Sequence, residues 1–330
     1  MTLDVSVVIS AKNRSVLLWD CFQGLAAQTI GKDRFEVVLI DNVSSEDLGA
    51  VAERARGELG LSIRTARTER DRGPAPARNL GVTMAAAPII AFTDSDCRPH
   101  PEWLAIGVAV FADPAIALAT GPVQPKPGQQ ATLTSKLTFK TDAEHPTFPT
   151  ANAFYRRAVF LGFGGFDASL SFRDPFDRAT ECADTDLAWR IIEAGHARRF
   201  LPNALVYHEI EDQGLMMWLL EPTRLFVLPE LVRRHPVLRR ELLTAGVFFY
   251  PQSWLIYVGM VVGIVALVMW PWLLLLLPVL LLARGIMRTG SVDPVGLLRF
   301  TARTLIHMPR MMLMNLCLLY GSVRFRCLVL

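Results

Sequence analysis

The sequence predicts an α/β fold, a mostly parallel sheet flanked by helices, followed by C-terminal amphipathic and transmembrane helices. Three observations predict it. Short apolar strands alternate with helical stretches over the first 100 residues, polar residues gather at the strand ends, and 42 consecutive positions, Leu242 to Ala283, carry neither a charge nor a histidine. Near-continuous apolar strands separated by helices are the mark of a sheet covered on both faces.

The elements follow in order. VSVVIS (5–10) is a β-branched strand, and a helix runs from about Ser15 to Gln28. FEVVLID (35–41) is the second strand, with a helix at about 45–59 behind it. Ser62–Ala66 reads as a short third strand. A helix at Ala75–Ala86 opens after Gly73-Pro74, and PIIAFTDSD (88–96) is a strand ending in acids. In such sheets ligands bind beyond the carboxyl ends of the strands. Asn13 and Arg14, Asp41 and Asn42, and Asp94 and Asp96 collect there.

The composition is a sum of two unlike parts. The 330 residues are 52% hydrophobic, 20% charged and carry a net charge of +3, where a soluble chain averages about 45–50% apolar and about 25% charged. After Asp212 stand 12 basic and 4 acidic residues; before it stand 22 and 27. An acidic front half with a basic, apolar back half predicts a soluble domain joined to a membrane-facing one. Nucleic acid is not an expected partner, since the basic residues lie beside apolar runs.

The uncharged run is too long for one buried helix. At ~1.5 Å per residue it would measure roughly 63 Å, about twice a bilayer's ~30 Å hydrocarbon core. Two spans turning at Trp270-Pro271-Trp272 accommodate it, with Pro breaking the helix and Trp at the interface. Arg233, Arg234, Arg239 and Arg240 precede the run and Arg284 and Arg288 follow it, so both ends are expected in the cytoplasm. One span plus a re-entrant piece is the alternative.

The division read from this is a catalytic domain at 1–212, an amphipathic interfacial segment at 213–241, a transmembrane hairpin at 242–288 and an amphipathic or membrane-associated helix at 289–330. In the last, Arg299, Arg303, His307 and Arg310 share a helical face, read as a solvated or headgroup-facing stripe. MTLDVSVVIS has an acid where a signal peptide is basic and leads straight into a strand. The five cysteines (21, 97, 182, 317, 327) form no CxxC pair and read as reduced thiols without a zinc site.

Two acidic pairs carry the chemistry. Asp94 and Asp96 point to one side while the chain stays extended, and two hard oxygen donors at a strand end suit Mg²⁺ or Mn²⁺ against a diphosphate. Acids after a strand equally start a turn. In CADTDLAWRIIEAG (182–195), Leu187, Ala188, Ile191 and Ile192 recur at helical spacing, which sets Asp184 and Asp186 at a helix start. There one acid caps the helix, and the other projects into the cleft to take a proton from an acceptor hydroxyl.

In order, VVISAKNR, VVLIDN, GPAPARNLGV, IIAFTDSD, ANAFYRR, GGFD, DTDLAWRI and VYHE resemble the family 2 glycosyltransferases with the GT-A fold, over about residues 3–210. The resemblance implies transfer of a sugar from a nucleotide diphosphate sugar with inversion at the anomeric carbon. It implies that Ala11 and Asn13 border the nucleotide, that Asp41 binds base or ribose, and that Arg78 contacts nucleotide or diphosphate. Asp94 and Asp96 match the DxD around Ser95, with Asp96 the direct metal ligand, His208 matches a family histidine that can ligate the metal, and Asp184 matches the catalytic base.

ANAFYRR and Gly164-Gly165-Phe166-Asp167 match the acceptor-side region, where Trp103 is expected to help close the site; Trp189 reads as helix packing. The loop 120–150, rich in Pro, Thr, Gln and Lys, reads from its composition as a lid. Ala183 stands where the family has Glu, with Glu181 able to compensate; Ser10 and Asn42 also depart. Gln213 is followed by GLMMW, so the QxxRW motif of processive members is absent and single-sugar transfer is expected. The expected acceptor is lipid-linked or a membrane-proximal glycan, and membrane lipids are the expected surroundings. The rival readings are a polyprenyl-phosphate glycosyl synthase and a non-catalytic sugar-nucleotide-binding scaffold.

Overall fold

The computed structural model describes residues 2–136, 141–251, 253–270, 286 and 293–330. Two compact units are present: Met1–Arg173 with Ala179–Gly214, and Asp174–Arg178 with Leu215–Leu330.

In the first unit the chain runs β1 (Val5–Ala11), α1 (Ser15–Ala26), β2 (Phe35–Asp41), α2 (Leu48–Leu59), β3 (Ile63–Arg67), α3 (Pro74–Met84) and β4 (Ile89–Phe92). It continues through β5 (Cys97–Pro99), α4 (Trp103–Ala109), β6 (Ile116–Thr120), β7 (Val123–Pro125), β8 (Ser135–Lys136), β9 (Ala153–Arg156) and α5 (Arg157–Gly162). Then come β10 (Ser171–Arg173), β11 (Ala179–Glu181), α6 (Ala183–Glu193), β12 (Ala197–Phe200), β13 (Val206–His208) and β14 (Glu211–Asp212).

A seven-stranded sheet in the order β12-β6-β9-β4-β1-β2-β3 forms the centre. It is parallel except for β9, which runs antiparallel to both β4 and β6. Strand β1 shows why the run is largely apolar. Val5, Val7 and Ile9 pack into a core with Leu18, Phe22 and Leu25 of α1, while Val8 faces α3 on the other side. Gly81 lets α3 come that close, since a Cβ there would lie 2.5 Å from Val8 Cγ1.

A second, three-stranded sheet, β5-β13-β7, stands beyond the carboxyl edge and pairs His208 with Cys97. Asn152 and Gly121 hold it there. Buried Asn152 donates through Nδ2 to the carbonyls of Pro122 and Ala204 at 2.8 and 2.7 Å and accepts from Trp103 Nε1 at 2.8 Å. A Cβ on Gly121 would lie 2.2 Å from the Ala204 carbonyl oxygen. Trp103 is therefore a core residue, fully buried and packed on Phe154, and does not close an acceptor site. In ANAFYRR, Arg156 bonds the carbonyls of Ile116, Phe111 and Asp113 and Arg157 that of Val82, so the motif is a central strand and its anchors. Gly164 and Gly165, at φ 77° and 68°, form the tight turn.

In the second unit the expected amphipathic helix is broken into α7 (Gly214–Leu220), a 3₁₀ segment Glu221–Val227, α8 (Leu228–Arg234) and α9 (Leu238–Leu242). Pro222 and Pro229 open new segments at first-turn positions, where a missing N–H costs least. Asp174 is buried and takes hydrogen bonds from Thr223 and from the Arg178 backbone and side chain. Helix α10 (Ser253–Met269) is wholly uncharged, and α11 (Pro294–Phe325) follows. The Arg299–Arg310 stripe is partly a packing surface. Arg310 bonds the Trp218 carbonyl and Glu221 and lies 4.7 Å over the Trp218 ring, with the His307 ring 5.1 Å from it.

Among the described residues no helix is long and apolar enough to cross a membrane. The expected first span coincides with α10, 17 residues long, and the return leg at 271–285 lies outside the described residues.

Candidate active site

Parallel pairing brings the strand ends together: Ala11 lies opposite Asp41, and Val8 opposite Phe92 at the end of β4. Beyond Ala11 the chain turns sharply, with Asn13 and Arg14 both left-handed at φ 59° and 65°. Asn13 is at home there, since its side chain hydrogen-bonds locally. Its Oδ1 accepts from Ser45 N and Oγ at 2.8 and 3.0 Å, and its own N–H donates to Ser44 Oγ at 2.8 Å. The loops after β1 and β2 are thus stitched into one rim. Asp41 accepts from Ser44 N at 2.7 Å and from Arg67 Nη1 at 2.8 Å. Asn42 reaches Asp71, which pairs with Lys12 at 2.6 Å.

The DxD is a turn and not an extended run. Strand β4 ends at Phe92, and Cys97 N donates to the Asp94 carbonyl at 3.1 Å, closing residues 94–97 with buried Ser95 inside. The turn and the β5–β13 pairing bring the donors together. One atom from each of Asp94, Asp96, Cys97 and His208 lies within 4.8 Å of the others. His208 Nδ1 sits 2.8 Å from the Glu209 carbonyl oxygen, which can only accept. Nδ1 therefore carries a proton, and Nε2 lies 3.4 Å from Asp96 Oδ1. Burial, and then Asp94 and Asp96, push the Cys97 thiol well up, so it stays protonated. Two carboxylates and an imidazole oriented by a backbone carbonyl are a donor set that suits Mg²⁺ or Mn²⁺.

Arg78 links this cluster to the second acidic group. From the first turns of α3 it gives Nη2 to Asp94 at 2.8 Å and Nη1 to Glu181 at 3.0 Å. Burial opposes ionisation of Asp94, but Arg78 and then His208 outweigh it and hold its carboxyl below the usual range. Glu181, which also accepts from Ala75 N at 3.1 Å, is pushed up by burial against the pull of Arg78, with Asp184 adding to the rise. Asp184 itself is pushed up mainly by burial, with Asp94 adding and Thr185 N–H and Arg78 opposing. An aspartate raised in this way is a better base than one in water.

Neither helix-start aspartate sits at the cap. Cys182 occupies that position. Asp186 turns inward to Arg190 at 2.8 Å, which holds the carbonyls of Phe163 and Gly165. Asp184, two residues before, is half-buried, accepts Thr185 N–H at 2.8 Å and acts electrostatically on Arg78.

Two further residues complete the site: Arg14, to which the sequence assigns no role and which bonds Asp96 and Glu211, and Glu181, expected to make up for Ala183, which shares Arg78 with Asp94. Arg14 carried one signal in the sequence, its place directly after Asn13 at a strand end.

A doubly wound sheet with clustered acids beyond its carboxyl edge defines a nucleotide-sugar-dependent glycosyltransferase of GT-A type. Residues 6–168 match the family model "Glycosyl transferase family 2". Among curated proteins it is 26% identical to the glycosyltransferase AglE of Haloferax volcanii, over 64% of this chain and 69% of that protein. It is 28% identical to the pre-mycofactocin glycosyltransferase of Mycobacterium tuberculosis, over 64% of this chain and 43% of that one, under half its length. The mannosyltransferase PcManGT from Pyrobaculum calidifontis, solved with GDP-Man and Mn²⁺, superposes with a TM-score of 0.59 at 18% identity, over 99% of this chain and 88% of that one. TarS 1–349 of S. aureus, solved with UDP, gives 0.52 at 17%, over 98% and 91%. At these identities the likeness is one of fold.

Proposed function

We propose that the chain transfers a single sugar, with inversion, from a nucleoside diphosphate sugar to a hydroxyl of a membrane-proximal or lipid-linked acceptor. The observation that carries this is the chain of charge from Asp184 through Arg78 to Asp94, which ends at the donor set of Asp94, Asp96 and His208. Those three residues would hold a divalent cation, which supplies positive charge against the departing diphosphate. Asp184 takes the proton from the acceptor hydroxyl as its oxygen bonds the anomeric carbon. The bond from that carbon to the diphosphate breaks on the opposite face, so one displacement inverts the centre. Arg78 keeps Asp94 ionised while leaving Asp184 basic.

Helix α10 supports a location at a membrane surface. Leu255, Val258, Val261, Val262 and Val265 are all more than 40% exposed on an uncharged helix, a surface that suits lipid better than water. The basic excess after Asp212 favours an anionic, cytoplasmic leaflet.

The test is a panel of nucleotide sugars with Mn²⁺ or Mg²⁺, hydroxyl and polyprenyl-phosphate acceptors, and the product anomer read by NMR. Asp184→Asn is expected to lower transfer to a hydroxyl by about 10²–10⁴-fold, the usual worth of a general base. Transfer to a phosphate that survives Asp184→Asn would favour the polyprenyl-phosphate reading. A retained anomer, or hydroxyl transfer undiminished in the variant, would overturn the mechanism.

A further inference from the structure

The two aspartates of the DxD turn have different counter-ions. Arg78, on Asp94, has a side chain only 9% exposed and both terminal nitrogens committed. Arg14, on Asp96, has a side chain 39% exposed. Its second terminal nitrogen meets Glu211 at 3.0 Å. Its backbone is fixed: Arg14 N–H and Ser15 N–H donate to the two oxygens of Glu46 at 3.1 and 2.8 Å, in the left-handed conformation at φ 65°. A non-glycine residue is strained in that region, so the turn is set by its surroundings. The result is a long cationic arm on a fixed pivot, reaching over the rim onto the metal-side carboxylate.

We propose that Arg14 is a positioning residue that occupies Asp96 until a cation and a diphosphate arrive together, and so couples metal binding to donor binding. This rests on the reading that Asp94, Asp96 and His208 hold a divalent cation. A cation that comes alone must share Asp96 with a guanidinium or displace it, and the displaced arm is left with Glu211. When a diphosphate is present, the arm has a second anion whose oxygens suit its planar fork. Displacement is then less costly, and by linkage each ligand tightens the other equally. Glu211 keeps the arm at the rim, and Arg78 does not exchange because it is buried between two carboxylates.

Mn²⁺ binding to the purified full chain, followed by the electron paramagnetic resonance of free Mn²⁺ with and without UDP or GDP, tests this without turnover. The wild type is expected to bind Mn²⁺ weakly alone and about tenfold or more tighter with a diphosphate, within the usual range of coupling. Arg14→Met should bind Mn²⁺ alone several-fold tighter and lose most of the coupling. Arg14→Lys, which keeps the charge, should restore part of it. Glu211→Gln, which removes the anion left to the displaced arm, should weaken binding of Mn²⁺ alone, the opposite direction from Arg14→Met. A folded Arg14→Met that binds Mn²⁺ no tighter than wild type, or keeps full coupling, overturns the proposal. Should that variant not fold, an unchanged Mn²⁺ affinity in Glu211→Gln overturns it instead. A wild type that binds Mn²⁺ no better than Asp96→Asn, with or without nucleotide, would overturn the metal reading and this proposal with it.

Discussion

At the scale of single residues, the site sets two aspartates in opposite conditions. Asp184 has its carboxyl raised above the unfolded value by burial, with Asp94 adding. Its folded form therefore binds the proton more tightly, and the ionised carboxylate lowers stability at every pH above the folded value. Asp184→Asn removes that cost and is expected to raise the stability at neutral pH by roughly 0.5–2 kcal/mol, the range of common stabilising substitutions. The same residue sets the acid limb of kcat/KM above the ordinary aspartate range, because the base must be ionised to act. Asp94 is the reverse case. Arg78 outweighs burial and lowers its carboxyl, so its contribution is present above the unfolded value and is lost as pH falls through the folded one. Asp94→Asn strands Arg78 beside Glu181 alone and is expected to cost about 3–5 kcal/mol, as breaking a buried pair does. Urea unfolding of both variants at pH 7 checks the opposite signs. An Asp184→Asn chain less stable than wild type would contradict the strained-base account.

At the scale of elements, the strands and helices that position the donor rim were legible where local pattern decides the structure. The first two strands and the helices after them have apolar runs with turn residues between, and α3 begins at Pro74 as the Gly73-Pro74 signal implies. Strand β9 was not legible, because it enters the sheet antiparallel between β4 and β6, and no local pattern records which neighbours a strand will find. The site divides in the same way. Asp41, Asp94 and Asp96 stand out because parallel strands share one carboxyl edge. Arg14 with Asp96 and Arg78 with Glu181 join residues 82 and 103 positions apart, and spacing says nothing at that distance. Asn152 and Trp103 looked like acceptor-side residues but are buried struts, a polar pair in the core that satisfies itself. Asn152→Ala would leave the Pro122 and Ala204 carbonyls and the Trp103 N–H without their partner, at roughly 2–4 kcal/mol in all. Because those carbonyls lie within two residues of the starts of β7 and β13, the variant is also expected to weaken Mn²⁺ binding through His208. Denaturant unfolding together with a Mn²⁺ titration separates the two effects.

At the scale of the whole molecule, a well-buried catalytic unit is carried on a chain whose other unit leaves a wholly uncharged helix open. Burying a Val or Leu side chain fully is worth about 1.5–3 kcal/mol, so the exposed residues of α10 hold enough apolar surface to bind a bilayer. The basic excess after Asp212 adds attraction to anionic headgroups. The two contributions answer to different conditions. Salt screens the charges within about 10 Å at 0.1 M and leaves apolar burial intact. Full-length chain mixed with vesicles of zwitterionic and anionic lipid is therefore expected to float with them, and to stay bound in molar salt. Val261→Asp with Val265→Asp places two carboxylates four residues apart on the exposed face, each at a cost of about 2.5–3.5 kcal/mol at the centre of a bilayer. That double variant should leave the vesicles while keeping donor-dependent Mn²⁺ binding, because the donor cluster lies in the other unit. If it floats as well as the wild type, α10 is not the membrane contact; if the wild type leaves in salt, charge alone holds the chain to lipid.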